Sequence, residues 1–419
     1  MLLAVLLAVL LAVGCAQERV IAPVAPGLLA LTPQGVAGLA ATMEPTAGPS
    51  PTPEAVPTRL VAPPEPLSLP PGFDVGVFAD DLGPVRMLAV SPDGTLFATV
   101  PERNRIVLLP DRDQDGVADR VYVFLQGEPL NMPYGLAFRE GWLYVANTDG
   151  VLRVPYQAGD MEPRGEAEWL LSLPGEGLHA SRSLLFVPDG ALYVSVGSSC
   201  NACVEEDVRR ASILRIEADG ERVVRYASGV RNAVGLALGP DASSVWFTDN
   251  ERDLVAEDWP PDELNLLLPG GDYGWPGCFG PREPAPAAGG DAARCAGTVA
   301  PLVEFEARSG PHGMAFYTGD RFPPAYQGGL FVALHGSWSR ERPVGYSVAF
   351  VPFAGSSPAG PPRPFIEGWL RPDTRRWGSP VDVVQAPDGA LLVADDGGGR
   401  VYRVVYHGPL GTPTPRFSP

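Results

Sequence analysis

Three of the four histidines in the 419-residue chain, His179, His312 and His335, stand close to arginine or in short polar runs. His179 opens HASR, which puts Arg182 three positions on. Histidine suits a general base near neutral pH because its ordinary pKa lies there. Arg182, and Arg231 with Asn232 in GVRNAVG, are the types that grip an anionic group through charge-assisted hydrogen bonds. Each of these residues could equally cap a strand end or pair with an acid, so clustering in space decides between the readings. A second pattern is DRDQDGVAD, with Asp111, Asp113, Asp115 and Asp119 around Gly116. Alternating carboxylates with a glycine at the sharp turn match what Ca²⁺ requires. Position twelve would be Tyr122 rather than Glu and no helices flank the run, so it is not an EF-hand. The expectation is a structural Ca²⁺ that pins a loop, against a plain solvated acidic turn.

Cysteines add a third constraint. Apart from Cys15 there are Cys200, Cys203, Cys278 and Cys295, an even number with three possible connectivities. Local pairing, Cys200 with Cys203 and Cys278 with Cys295, is expected. No second CxxC exists and Val204 follows the first, so neither a zinc ribbon nor haem attachment fits.

These residues must be positioned by something rigid. LLFVPDGALYVSV, just after His179, is a short apolar run, a Pro-Asp-Gly turn and a second apolar run, the pattern of a β-hairpin. Similar units begin near residues 86, 134, 182, 234, 313 and 382, spaced by about 50 to 80 residues. That spacing is the range of propeller blades with insertions. The fold expected is all-β, a six-bladed β-propeller over residues 69–407. FDVGVF (Phe73–Phe78) and VYRVVY (Val401–Tyr406) are strand-like runs at the two ends, expected to close one shared blade. All the hairpin turns then share one face. The opposite face, around the channel mouth, receives Arg86, Asn131, His179, Arg182, Arg231, Asn232, His312 and Asp382. The longest polar connections, after Val196, Phe247 and Leu334, fall there too, where sites are usually built.

A formal net charge of -18 argues against nucleic acid as a partner. The chain opens with an apolar run, Leu2 to Val13, too short to span a bilayer. It ends in Ala12-Val13-Gly14-Cys15, which looks like the processing box of a bacterial lipoprotein, with Cys15 as the lipidated residue. The reading is a signal peptide over 1–15 and a Pro/Ala/Thr-rich disordered linker over 16–68. A tail over 408–419 follows the propeller. The protein is expected to be exported, at the cell surface or in the periplasm, touching a membrane through the lipid anchor only.

The ordered series LPPGF, HxxR, GVRNAVG, TDNERD, PPDELN, GGDYGWP, GMAFYTG, HGSWSR and SPVDVVQAPDG resembles the PQQ-dependent soluble sugar dehydrogenases, in particular their L-sorbosone dehydrogenase-like branch. The likeness runs from about Leu69 to Tyr406. It implies pyrroloquinoline quinone (PQQ) and a Ca²⁺ ion at the channel mouth, a sugar or aldehyde substrate, and an external electron acceptor. By resemblance His179 and Arg182 are the catalytic residues. Arg231, Asn232, His335 and Arg340 contact the cofactor, and backbone carbonyls of Glu251 and Arg252 hold the Ca²⁺. Two positions depart from the family's pattern. Glu251 stands where better-known members have glycine, and Ser379 where an arginine holds the quinone carboxylates. Arg375, Arg376 or Arg340 are the candidate substitutes. Two rival readings are a Ca²⁺-dependent lactonase-like hydrolase, which needs carboxylate and Asn ligands converging on the channel, and a non-catalytic binding propeller.

Overall fold

A computed structural model describes residues 21–23, 59–253 and 255–408. The segments expected to be a signal peptide, a lipid anchor at Cys15, most of the linker and the tail after Gly408 lie outside the described residues.

The expected architecture is present: six blades, each built on four antiparallel strands and arranged around a channel, with Ile21–Pro23 and Gly271–Asp272 added in parallel to the outer strand Val223–Ser228 of one of them. Their innermost strands are Leu88–Val90, Leu136–Arg139, Leu184–Phe186, Leu236–Leu238, Pro311–Phe316 and Pro380–Gln385, numbered here as blades 1 to 6. Each begins one of the hairpin units read from the sequence. The Pro-Asp-Gly turns work because their glycine carries a positive φ, 88° at Gly94, 95° at Gly190 and 86° at Gly389, which a side chain would resist.

Blade 6 is completed by the strand Phe73–Ala79, which pairs antiparallel with Arg400–Tyr406. The ring is thus closed by a strand from before blade 1. Closure joins parts of the chain far apart in sequence and removes an exposed sheet edge.

Strand period explains how the blades hold together. Along Leu192–Val196, Leu192, Val194 and Val196 pack towards blade 2, while Tyr193 packs towards blade 4. Both faces of a blade are therefore apolar, and six apolar cores form, one in each gap between neighbouring blades. Hydrogen bonds link neighbouring blades as well. Gly135 N–H donates to Arg182 O, Thr248 Oγ1 to His312 O, and Leu88 N–H to Asp382 Oδ2 at 2.7 Å. Met87, Tyr134 and Val234, with Met132 and Ala180 against them, fill the channel with an apolar plug.

Blade 4 carries a long insertion between Leu266 and Val303, containing the one α-helix of the described residues, Ala292–Ala296. Asp291 caps its first turn by accepting from the Arg294 N–H. Cys278 and Cys295 form a disulfide within this insertion, and Cys200 and Cys203 form the other, as expected from their spacing. Among the described residues no helix is long and apolar enough to cross a membrane.

Candidate active site

His179 lies on the approach to blade 3, half-buried. Its Nδ1 is 3.0 Å from the Ser198 carbonyl oxygen and 2.8 Å from Ser198 Oγ. The carbonyl can only accept, and the Ser198 hydroxyl gives its own proton to the Cys200 carbonyl at 2.8 Å. Nδ1 therefore carries the ring proton, and Nε2 keeps the lone pair a base needs. Burial, and then the charge of Arg231, hold the His179 pKa down to about 3, with Arg182 and Arg210 adding to the effect. The imidazole is neutral at ordinary pH and stands in a positive field.

Arg182 holds the main chain at His179 rather than its ring. It is fully buried. Nη1 donates to the carbonyls of His179 and Ser181, each at 2.8 Å, and Nη2 to Pro174 O at 2.9 Å. The HxxR spacing thus ties the backbone of the histidine to its own arginine.

Asn232 meets His179 across Gly197. A Cβ placed on Gly197 would sit 2.6 Å from His179 Cβ and 3.0 Å from Asn232 Oδ1, so only glycine lets these side chains approach. Asn232 Oδ1 is buried with no protein partner. Arg231 is engaged within the protein: Nη1 donates to Asn250 O at 2.8 Å, and Nη2 to Asn201 Oδ1 at 2.9 Å and to Asp253 Oδ2 at 3.2 Å. The Asp249 carboxylate accepts the backbone N–H groups of both Arg231 and Asn232, which sets the angle at which this pair enters the mouth.

Blades 5, 6 and 1 supply the far side. His312 and His335 stack with ring centroids 4.6 Å apart and 17° between planes. His335 Nε2 lies 2.9 Å from Asp396 Oδ2, and Arg86 Nη1 donates to the same oxygen at 2.6 Å. These two partners hold the Asp396 pKa down to about 2 against the effect of its burial. His312 is pushed well below its ordinary pKa by burial, then by His335 and Arg86. His312 Nδ1 and Arg86 Nε are buried without protein partners. Ser379 Oγ donates to the His335 carbonyl at 3.1 Å, so the position that lacks arginine braces the histidine instead.

The loop proposed to hold a cation follows blade 4's second strand. No described residue donates to the backbone carbonyls of Glu251 or Arg252. Glu251 does not adopt a positive φ, so the glycine expected there is not demanded by the backbone. Its side chain is buried beside Asp249, Asp262 and Glu263, none more than 4% exposed. Burial raises the pKa of all four, Asp262 to about 7. Backbone N–H groups satisfy them, among them Glu251 N–H and Gly310 N–H on Asp262.

The TrAA12-like family model matches residues 67–366, most of the propeller. The chain belongs to the TrAA12-like family. The iodide structure of a Trichoderma reesei carbohydrate-active enzyme of family AA12 superposes with a TM-score of 0.71 at 20% identity, covering 81% of this chain and 97% of that one. The holo form of the PQQ domain of a Coprinopsis cinerea pyranose dehydrogenase gives 0.69 at 21% identity, covering 82% of this chain and 98% of that one. In sequence, an aldose sugar dehydrogenase of Escherichia coli is 27% identical over 175 residues, 37% of this chain and 45% of that protein.

Within this TrAA12-like propeller several of the expected residues have partners in the protein itself. Arg340 is held in an acidic rim: Nη1 donates to Ala307 O at 2.9 Å and to Glu306 at 3.2 Å, and Nη2 to Asp258 at 2.6 Å. Arg375 pairs with Asp373 at 2.7 Å, and Arg376 lies over the Tyr346 ring. Arg86 is the cation that reaches the blade 6 side. The acidic loop lies on the turn face. Asp111, Asp113 and Asp115 come close enough to share one ion, but Asp119 turns to Arg112 at 3.6 Å. A cavity of about 900 Å³ opens there, walled in part by Asp93, Asp111, Tyr156, Asp388 and Arg403, on the side opposite His179. Asn131 pairs with Asp149 at 2.7 Å, and Asp382 caps blade 1. Sequence reasoning missed Ser198, Gly197, Asn201 and Asp396. Only GSSCN, a run of small polar residues against the base's hairpin, hinted at the first three.

Proposed function

We propose that this chain is an exported quinoprotein dehydrogenase that oxidises a hydroxyl or aldehyde-hydrate carbon of an aldose or sorbosone-like sugar, with His179 as the base. The observation that carries the reading is the hydrogen bonding of His179: Nδ1 lies against the Ser198 carbonyl and hydroxyl, and Nε2 has no partner among the described residues. The Coprinopsis and Escherichia coli relatives, a pyranose dehydrogenase and an aldose sugar dehydrogenase, support the substrate class.

The side chains present suit a flat polyanion. Asn232 Oδ1, His312 Nδ1 and Arg86 Nε are buried and unpaired, and Met87, Tyr134 and Val234 form an apolar floor. The positive field that depresses His179 would favour carboxylates. Asn232, His312 and Arg86 would hold PQQ, and the Glu251 and Arg252 carbonyls a Ca²⁺ ion. Bound PQQ would supply the hydride acceptor, and the cation a Lewis acid beside it. His179 Nε2 would take the substrate's hydroxyl proton as the hydride leaves carbon. Ser198 would keep the ring in register and accept from Nδ1–H while positive charge develops on the imidazole. Arg182 would fix the main chain behind it. Electrons would pass on to an external acceptor.

Reconstitution tests this. Dye reduction with aldoses is expected only after PQQ and Ca²⁺ are added, falling about 10²- to 10⁴-fold in His179→Ala. A wild-type protein with no PQQ difference spectrum at micromolar quinone would sink the proposal. The two disulfides support an oxidising compartment. Lipidation at Cys15 predicts that Cys15→Ser releases the protein from membranes, and unchanged membrane association would refute it.

A further inference from the structure

We propose that Asn201 is the positioning residue of the channel mouth, and that the Cys200–Cys203 disulfide exists to hold it there. The proposal rests on the reading that the Asn250–Asp253 loop and Arg231 border the quinone and cation. Asn201 sits between the two bonded cysteines, inside a ring closed over only three residue steps. Its side chain clasps Asp253 at two points. Oδ1 accepts the Asp253 N–H at 2.9 Å, and Nδ2 donates to the Asp253 carbonyl at 2.9 Å. The same Oδ1 accepts from Arg231 Nη2 at 2.9 Å, while the Asn201 backbone carbonyl accepts from Arg231 Nε and from Trp275 Nε1, each at 3.2 Å.

The consequence is a bracket. Arg231 Nη1 holds the Asn250 carbonyl at 2.8 Å, and Asn201 holds both backbone groups of Asp253. Glu251 and Arg252 lie between these two anchors. Their residues belong to no strand, so no sheet ladder sets the direction of their carbonyls. Ser339 of blade 5 also reaches Asp253, at 3.3 Å, which ties a third blade into the clasp. The same short loop orients the base, because the Cys200 carbonyl takes the Ser198 proton. One four-residue ring thereby sets both halves of the site. The position requires asparagine. Alanine lacks both bonding groups, aspartate lacks the donor, and glutamine adds a methylene that the disulfide ring gives no room to absorb.

Hydrogen exchange on the full-length, unliganded protein tests the clasp without relying on activity. Asn201→Ala and the double variant Cys200→Ala/Cys203→Ala are expected to speed exchange at Asp253 at least tenfold, with peptides of blades 1 and 6 unchanged. Asn201→Asp, which keeps the acceptor, should fall between. In PQQ titrations with Ca²⁺ the dissociation constant of Asn201→Ala should rise about tenfold or more. Unchanged exchange at Asp253, or equal acceleration in every blade, would overturn the proposal. If wild type binds no quinone, the dehydrogenase reading fails, and the exchange result alone decides the clasp.

Discussion

The Ser198 hydroxyl accepts a hydrogen bond from His179 Nδ1–H and donates one to the Cys200 carbonyl, so one hydroxyl selects which ring nitrogen of His179 is free. Ser198→Ala leaves the carbonyl acceptor but loses the shorter bond. The expected result is a kcat lower by about one to two orders of magnitude, with KM for sugar nearly unchanged, in steady-state kinetics of the reconstituted enzyme. Gly197 is the second control point. It has no positive φ, so alanine is acceptable to the backbone and the cost falls on the side chains it would meet, His179 and Asn232. Gly197→Ala should abolish most dye reduction while the urea midpoint moves little. A large loss of stability with activity retained per folded molecule would contradict it. Neither position was legible in advance. His179 and Asn232 could be picked out because their types carry chemistry, whereas a serine and a glycine matter only through what they touch.

At the level of the element, the hairpins were readable because a blade buried on both faces needs apolar residues at nearly every strand position, with a glycine turn between runs. The closing strand was readable as a strand, but its importance lies in packing. Phe73 is buried, with its ring centroid 4.8 Å from that of Phe322 and 5.0 Å from that of Phe365, both edge-on. Phe73→Ala should cost about 3–5 kcal/mol in urea unfolding, because it empties the point where blade 6 closes on blade 5. A change below about 1 kcal/mol would mean that the closing strand adds little. Loops behaved otherwise. Arg340 and Arg231 are expected to contact a cofactor, and each also has protein acceptors around its guanidinium. Loop conformation follows no short period, so spacing alone does not tell where an arginine points.

Across the whole molecule, buried carboxylates dominate the expected pH response. Asp262 and Asp382 both rise to about 7 through burial, from an ordinary value of 3.8. A carboxyl whose folded pKa is raised favours the folded state fully below about pH 4, and that contribution is lost as pH climbs towards 7. Asp396 acts oppositely: its pKa is held near 2, so its contribution is lost only as pH falls through that range. The unliganded protein should therefore melt highest in mildly acidic buffer, and its Tm should fall between pH 5 and pH 8. Asp262→Asn should flatten that slope, and calorimetry across the range checks both. A Tm rising from pH 5 to pH 8 would contradict the assignment.

What the sequence determined by itself was the count of blades, the closing strand and the local disulfides. Each of these follows from residues near one another in the chain or from a repeated period. What only the tertiary structure decided was the company those residues keep. Arg86 meets Asp396 across 310 positions, and Asn201 clasps Asp253 across 52. A propeller brings the ends of all its inner strands to one channel mouth, so the site is assembled from widely separated segments of the chain. Their mutual geometry depends on six apolar cores fixing the blade angles, and no local pattern in the chain encodes that.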